Sequence, residues 1–369
     1  MTLNGFAYGE LSFGTDGQVA DPGQRGVPPA VALGADVTDL LVLSHGWQDD
    51  LPKAQSLYNG LTQAMDRAGG APPGLAVLGI IWPAKQFDAY PDVESVKNDP
   101  TGALAAAFVD GVRNEIGSEL GGRPPVAESA NPGDHEASFF RIDAHALLER
   151  FGPVEDGVSS VLNLATYYEM KARSRAIGKG LVPVLAAVRA ARPHVRLHLA
   201  GHSFGALVMA SALATGGPLP VSSMMLIQGA FSQYGFAKQW DGVHDGLFRP
   251  GLSGGHLAGP IVVTYSRHDD MVGICYSLAS RMADQTDSTG APPDDRPDGE
   301  FGAIGAHGAL ATPESLWSTM LPAQGPGYAF PAGAISNLDS SAYVTSHYKV
   351  LGPEVGKAMV AAITAQGAA

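Results

Sequence analysis

Cysteine is almost missing: Cys275 stands alone among 369 residues. One thiol cannot build an intrachain disulfide framework, and it rules out a C-x-x-C metal or redox site. Charge is scarce and lopsided. Charged residues make up 16% of the chain, with 23 Lys and Arg against 36 Asp and Glu, a formal net charge of -13. No dense run of basic residues occurs, whereas a face that holds phosphates needs one. This argues against a nucleic-acid partner and weakly disfavours anionic membranes and substrates. Long apolar runs are also absent. No stretch reaches the ~18 uninterrupted apolar residues of a spanning helix, and the Ala-rich segments 103–108 and 357–368 are too short. The opening M-T-L-N-G-F lacks the basic start and apolar centre of a secretory leader. The expectation is a soluble, cytoplasmic protein with no integral membrane association. Leaderless export would leave no trace in such a sequence, and nothing in it sets an oligomeric state.

What the chain does have is apolar material and punctuation. Hydrophobic residues make up 45% of it, with 47 glycines and 27 prolines. A large core is therefore expected, joined by long loops where Gly and Pro cluster: 20–35, 121–133, 246–260, 288–308 and 322–333. Between them runs an alternation of short apolar strands and amphipathic helices. The N-terminal 6–13 followed by T-D-G predicts a short antiparallel hairpin. Strands are predicted at 40–43, 75–82, 195–200, 223–228, 261–266 and 334–338. Helices are predicted at 51–68, 158–191, 206–214 and 353–365, the second split in two by Gly178, Gly180 and Pro183. Continuously apolar strands separated by helices describe an α/β fold with a mostly parallel central sheet and helices on both faces. The rhythm breaks at 84–157, which predicts an inserted cap or lid over a core formed by 1–83 and 158–369.

The sharpest local signal is V-R-L-H-L-A-G-H-S-F-G, at 195–205. A strand that turns abruptly into a helix with its central residue at the apex crowds the positions two before and two after, so both must be small. Gly201 and Gly205 occupy them and leave Ser203 at the tip. The plainer alternative is a tight turn that happens to contain serine. A serine nucleophile needs a base, a group to orient the base, and donors for the oxyanion. Each is expected at the C-terminal end of a strand, where open parallel sheets bind ligands.

L-V-L-S-H-G-W offers the donors. Gly46 lets the chain turn so that the Trp47 N–H can face the cleft beside that of Phe204, with His45 a structural hydrogen-bonder of the loop. I-V-V-T-Y-S-R-H-D-D-M-V offers the acid. Asp269, framed by Ser266 and Val272, is preferred to Asp270; otherwise both cap a turn. Of the eleven histidines, His347 in S-H-Y-K-V-L-G-P-E is preferred as base to His307 in the Gly-rich G-A-I-G-A-H-G. His135, His145, His194 and His198 read as surface or helix-face residues, and His202 and His268 as packing neighbours. Trp82, Phe231, Tyr234 and Met271 are candidates for an apolar acyl or aryl pocket, against the alternative of core packing. No ligand spacing marks a metal site, and no cofactor is implied.

With these motifs in hand the chain resembles the α/β-hydrolase superfamily over nearly its whole length. H-G-W matches the oxyanion loop, G-H-S-F-G the elbow, S-R-H-D the acid and S-H-Y-K the base. The segments Y-Y-E-M-K-A-R-S and Q-G-A-F-S are similar to those of an esterase- or lipase-like bacterial branch of uncharacterised members. The resemblance implies a serine hydrolase acting on a small-molecule carboxylic ester through Ser203, His347 and Asp269. Two other readings fit the same residues: a hydrolase cleaving amides or peptides, and a non-catalytic hydrolase-like protein that binds a small ligand, because scaffold alone does not fix chemistry.

Overall fold

The computed structural model describes residues 2–20, 34, 36–47, 49–70, 72–84, 154–217, 220–240, 242–269, 271–272 and 302–365, with side chains of the long helix from Met170 onward. The predicted insertion therefore lies outside the described residues from 85 to 153, as do His135, His145, Asp270 and Cys275.

Nine strands form one sheet: β1 (Thr2–Leu3), β2 (Phe6–Ser12), β3 (Asp39–Ser44), β4 (Leu75–Ile81), β5 (Arg196–His202), β6 (Val221–Ile227), β7 (Ile261–Tyr265), β8 (Ser315–Thr319) and β9 (Ile335–Asp339). Their order is β1-β2-β4-β3-β5-β6-β7-β9-β8, and every pair except β1–β2 is parallel. This is the α/β architecture expected, a mostly parallel sheet with helices on both faces. The helices are α1 (Leu51–Arg67), α2 (Val154–Ala191), α3 (Phe204–Thr215), the single turn α4 (Ile304–His307) and α5 (Pro353–Thr364).

Strand alternation sends side chains to two cores. Leu40, Val42, Leu78, Ile80, Leu197 and Leu199 pack with α2 and α3, while Leu41, Leu43, Val77, Ala200 and Met225 pack with α1 and α5. Each fully buried aliphatic side chain contributes roughly 1.5–3 kcal/mol of transfer free energy, so a two-faced sheet accumulates stability on both sides. α3, the helix after the elbow, is buried from Phe204 through Leu213 and polar on no face, as a helix between sheet and α2 must be. Helix α1 starts cleanly because Asp50 accepts from the Lys53 N–H at 3.1 Å, with Pro52 in its first turn.

Four predictions differ from what is found. The long helix α2 runs unbroken for 38 residues from Val154, with Pro183 inside it. Gly178 and Gly180 serve close packing and do not break it. A Cβ on Gly178 would strike the Val208 carbonyl of α3, and one on Gly180 the Gly17 carbonyl. The N-terminal hairpin is β1–β2, turning at Asn4 and Gly5 with φ of 49° and 85°. Asn-Gly is the pair that such a two-residue turn favours; the T-D-G stretch adds only a Phe13–Val19 bridge. Edge strand β8 was not anticipated at all. His198, read as a surface residue, is buried on β5. Its Nε2 lies 2.8 Å from Asp39 Oδ1 and its Nδ1 2.8 Å from Ser223 Oγ, a cross-strand chain closed by Arg196 on Asp39 at 2.8 Å. Among the described residues no helix is long and apolar enough to cross a membrane.

Candidate active site

The C-terminal edge of the sheet gathers four loops, and Ser203 lies at the first of them. It takes φ 58° and ψ -124°, outside the regions open to ordinary L-residues. Backbone bonds hold it there: its N–H donates to the Ile227 carbonyl at 3.0 Å, and its carbonyl accepts from Ala206 at 3.0 Å and Ala230 at 3.1 Å. Such strain costs of order 1–3 kcal/mol and persists only where neighbours over-determine it. Both flanking glycines are required by contact. A Cβ on Gly201 would meet the Gly205 carbonyl, and one on Gly205 the Ser44 carbonyl. Although Ser203 is the N-cap of α3, its hydroxyl makes no capping bond, so the oxygen is left for other chemistry.

The loop after β3 presses against this bend. A Cβ on Gly46 would lie 2.7 Å from Ser203 Cβ and 3.2 Å from its Oγ, so only glycine admits the serine side chain. Trp47 packs edge-on to Phe204, ring centroids 6.3 Å apart. The loop is braced underneath. The His45 N–H donates to Tyr58 Oη at 3.0 Å, and Tyr58 in turn donates to the Ile80 carbonyl. The His45 ring stacks on Trp82 at 5.1 Å; its Nδ1 lies 3.0 Å from the Gly46 carbonyl, and its Nε2 accepts from the Trp82 N–H at 3.2 Å. Those two bonds define the neutral tautomer with the proton on Nδ1. Burial agrees, pushing this imidazole down to about 4. Asp49 Oδ2 accepts from the Gly46 N–H at 3.1 Å, and burial holds this carboxyl above its ordinary range.

Asp269 follows β7 and His347 follows β9, and the fold joins them. His347 Nδ1 lies 2.8 Å from Asp269 Oδ2 and 3.1 Å from Oδ1, with both residues buried. Asp269 Oδ1 also accepts from the Val272 N–H at 3.2 Å, so the carboxylate caps its turn and receives the imidazole at once. His347 is seated against His202, the neighbour of Ser203. The His202 Nε2–H donates to the His347 carbonyl at 2.8 Å, and the two ring centroids are 4.7 Å apart. Total burial, with the nearby His347 adding to it, drives the His202 imidazole down to about 3 and keeps it neutral. Among the described hydrogen bonds none joins Ser203 Oγ to His347. His307 ends α4, whose Gly305 carbonyl accepts from the Ser266 N–H; it is His347 that reaches Asp269.

The four pocket candidates separate. Phe231 is wholly buried in a cluster with Phe236 and Phe248 and offers no surface to a ligand, a correction that follows from its edge-on packing against both rings. Trp82 is buried with its indole N–H on Ser44 and His45. It also forms one wall of a cavity of about 260 Å³ beside Ser12, Phe13, Asp49 and Ala84, at the ends of β2 and β4. Tyr234 stacks on Trp240, and Met271 is exposed. Sequence reasoning read His202 only as a packing neighbour and gave no role in the site to Gln228 or Asp49. Gln228 could have been noticed as a polar residue directly after an apolar strand, at the edge where ligands bind.

No protein-family model matches the chain, and no curated protein matches it. Among solved structures, the crystal structure of TT1662 from Thermus thermophilus is similar at 14% identity, over 90% of this chain and 92% of that one, with a TM-score of 0.37.

Proposed function

We propose that the protein is a serine hydrolase that cleaves carboxylic esters with an apolar acyl or aryl group through an acyl-enzyme. Ser203 is the nucleophile. His347 takes its proton as the oxygen attacks the ester carbonyl, and Asp269 holds the imidazole in the tautomer that leaves Nε2 free to accept. The N–H groups of Trp47 and Phe204, with Gly46 giving the loop its turn, receive the negative oxygen of the tetrahedral intermediate. His347 then protonates the leaving alcohol, and later draws a proton from water so that hydroxide releases the acid and regenerates Ser203.

One observation carries this reading. The chain tolerates a strained, non-glycine residue at the sheet edge, walled by Gly46, Gly201 and Gly205, and that residue carries a hydroxyl unused by its own helix. A turn needed only for folding would put glycine at the strained position. Hydrolysis of p-nitrophenyl butyrate tests the reading. The wild type should release p-nitrophenol, with Ser203→Ala and His347→Ala each lowering kcat by more than about 10⁴-fold. His307→Ala should keep most of the rate. Full activity in Ser203→Ala would refute the nucleophile, and loss in His307→Ala with retention in His347→Ala would move the base.

A further inference from the structure

Gln228 is the first residue beyond β6 and takes φ 46°, a backbone that glutamine seldom adopts. It is also fully buried. A buried amide is tolerated only when its polar atoms find partners. Here they all do. Nε2 donates to Asp269 Oδ2 and to the Gly305 carbonyl, each at 3.1 Å. Oε1 accepts from Thr264 Oγ1 at 2.9 Å and from Ser340 Oγ at 3.3 Å. The partners also fix which way the amide faces. A carboxylate and a carbonyl can only accept, so the nitrogen must point at them, whereas hydroxyls can donate to the oxygen.

The consequence falls on Asp269. A carboxylate held only by the imidazole it serves would turn with that ring. This one is held at both oxygens from elsewhere: Oδ1 by the Val272 N–H and Oδ2 by Gln228. The remaining lone pairs face His347 Nδ1. Because Gln228 is bonded to β7 and the loop after it, to α4 and to the residue that follows β9, it sets the carboxylate relative to three segments at once.

We infer that Gln228 is the positioning residue of the site: it clamps Oδ2 of Asp269 in the orientation that binds the His347 Nδ1–H, and it shares that oxygen with the imidazole. The role rests on the Ser203–His347–Asp269 reading of the chemistry, but the clamp itself is a matter of geometry. The variants Gln228→Leu and Gln228→Glu test it. Leu removes the donor and should lower kcat for p-nitrophenyl butyrate by about 10- to 100-fold, the range for a hydrogen bond to a charged group, with KM little changed. Glu is isosteric, and a carboxyl placed against Asp269 shares one proton with it. When protonated the new carboxyl donates to Oδ2 as the amide does, so the kcat/KM ratio of Gln228→Glu to Gln228→Leu should rise as pH falls. The other titratable groups facing His347, namely His202, Asp49 and Tyr348, are common to both variants and cancel in that ratio, which leaves the pair formed by Asp269 and the new carboxyl.

Should Gln228→Leu fail to fold, Gln228→Glu against wild type carries the same pH signature. A kcat within about 2-fold of wild type in both variants, below the cost of losing such a bond, or a ratio flat in pH, would overturn the inference. Nuclear magnetic resonance of the His347 Nδ1–H proton in histidine-labelled protein reads the clamp without turnover. The resonance should move downfield in Gln228→Leu as Oδ2 loses its competing donor, and an unmoved resonance also overturns the inference. A wild type inert toward esters, with the resonance moved, removes the proposed chemistry and leaves the clamp standing.

Discussion

At the scale of single residues the site is a problem of close approach. Three glycines let the backbones after β3 and around the elbow touch, and the space they leave matches a serine side chain. Gly205 shows what one carbon would do. A methyl group there meets the Ser44 and His45 carbonyls, which belong to the loop that carries Gly46 and Trp47. Backbone cannot yield as a side-chain tip can. Gly205→Ala is therefore expected to lower the unfolding free energy by roughly 3 kcal/mol or more, read by urea denaturation. In any fraction that still folds, the proposed oxyanion donors are displaced, so ester turnover should fall further than stability alone explains. An alanine variant with unchanged midpoint and rate would mean that the contact relaxes cheaply.

At the scale of elements, the parts that could be read in advance were those whose cause is local. Apolar runs such as L-A-V-L-G-I-I and I-V-V-T-Y are strands on both physical and compositional grounds, and they are β4 and β7. The Asp50 cap and Pro52 mark the start of α1 within the sequence itself. Non-local causes could not be read. Gly178 and Gly180 look like breakers until α3 and Gly17 are known to lie against them. Strand β8 exposes Leu316 and Trp317 side by side, so it shows no alternation; its place comes from pairing with β9 and from Trp317 against Tyr265. The site divides in the same way. Ser203, Asp269 and His347 each announce themselves by their position after a strand, and the last two meet in space. Gln228 opens the quoted Q-G-A-F-S segment, but that segment gave it no role, because its meaning depends on four segments converging.

At the scale of the whole molecule, three buried imidazoles tie folding to pH. His45 and His202 are pushed by burial down to about 4 and about 3, and burial also lowers His198, against the opposing pull of Asp39. Folded, His45 and His202 stay neutral; unfolded, each takes up a proton near its ordinary value of about 6.5. A depressed folded value means the full contribution is present above about 6.5 and drains away as pH falls toward the folded values. At pH 5 the loss for His45 and for His202 is roughly 2 kcal/mol each relative to neutral pH. Asp39, lowered by its bonds to His198, Thr38 and Arg196 in spite of burial, adds a loss below the carboxylate range. The urea midpoint should therefore fall steadily from pH 7 to pH 5, and a midpoint flat across that interval would show that these histidines are not held neutral.

The claim on which the account depends is that Ser203 is an activated nucleophile. It is tested most directly by treating folded protein with a fluorophosphonate and mapping the adduct by peptide mass spectrometry. The expected result is a single adduct on the peptide carrying Ser203, absent after denaturation and in Ser203→Ala. An adduct on a different residue, or none on the folded wild type, contradicts it.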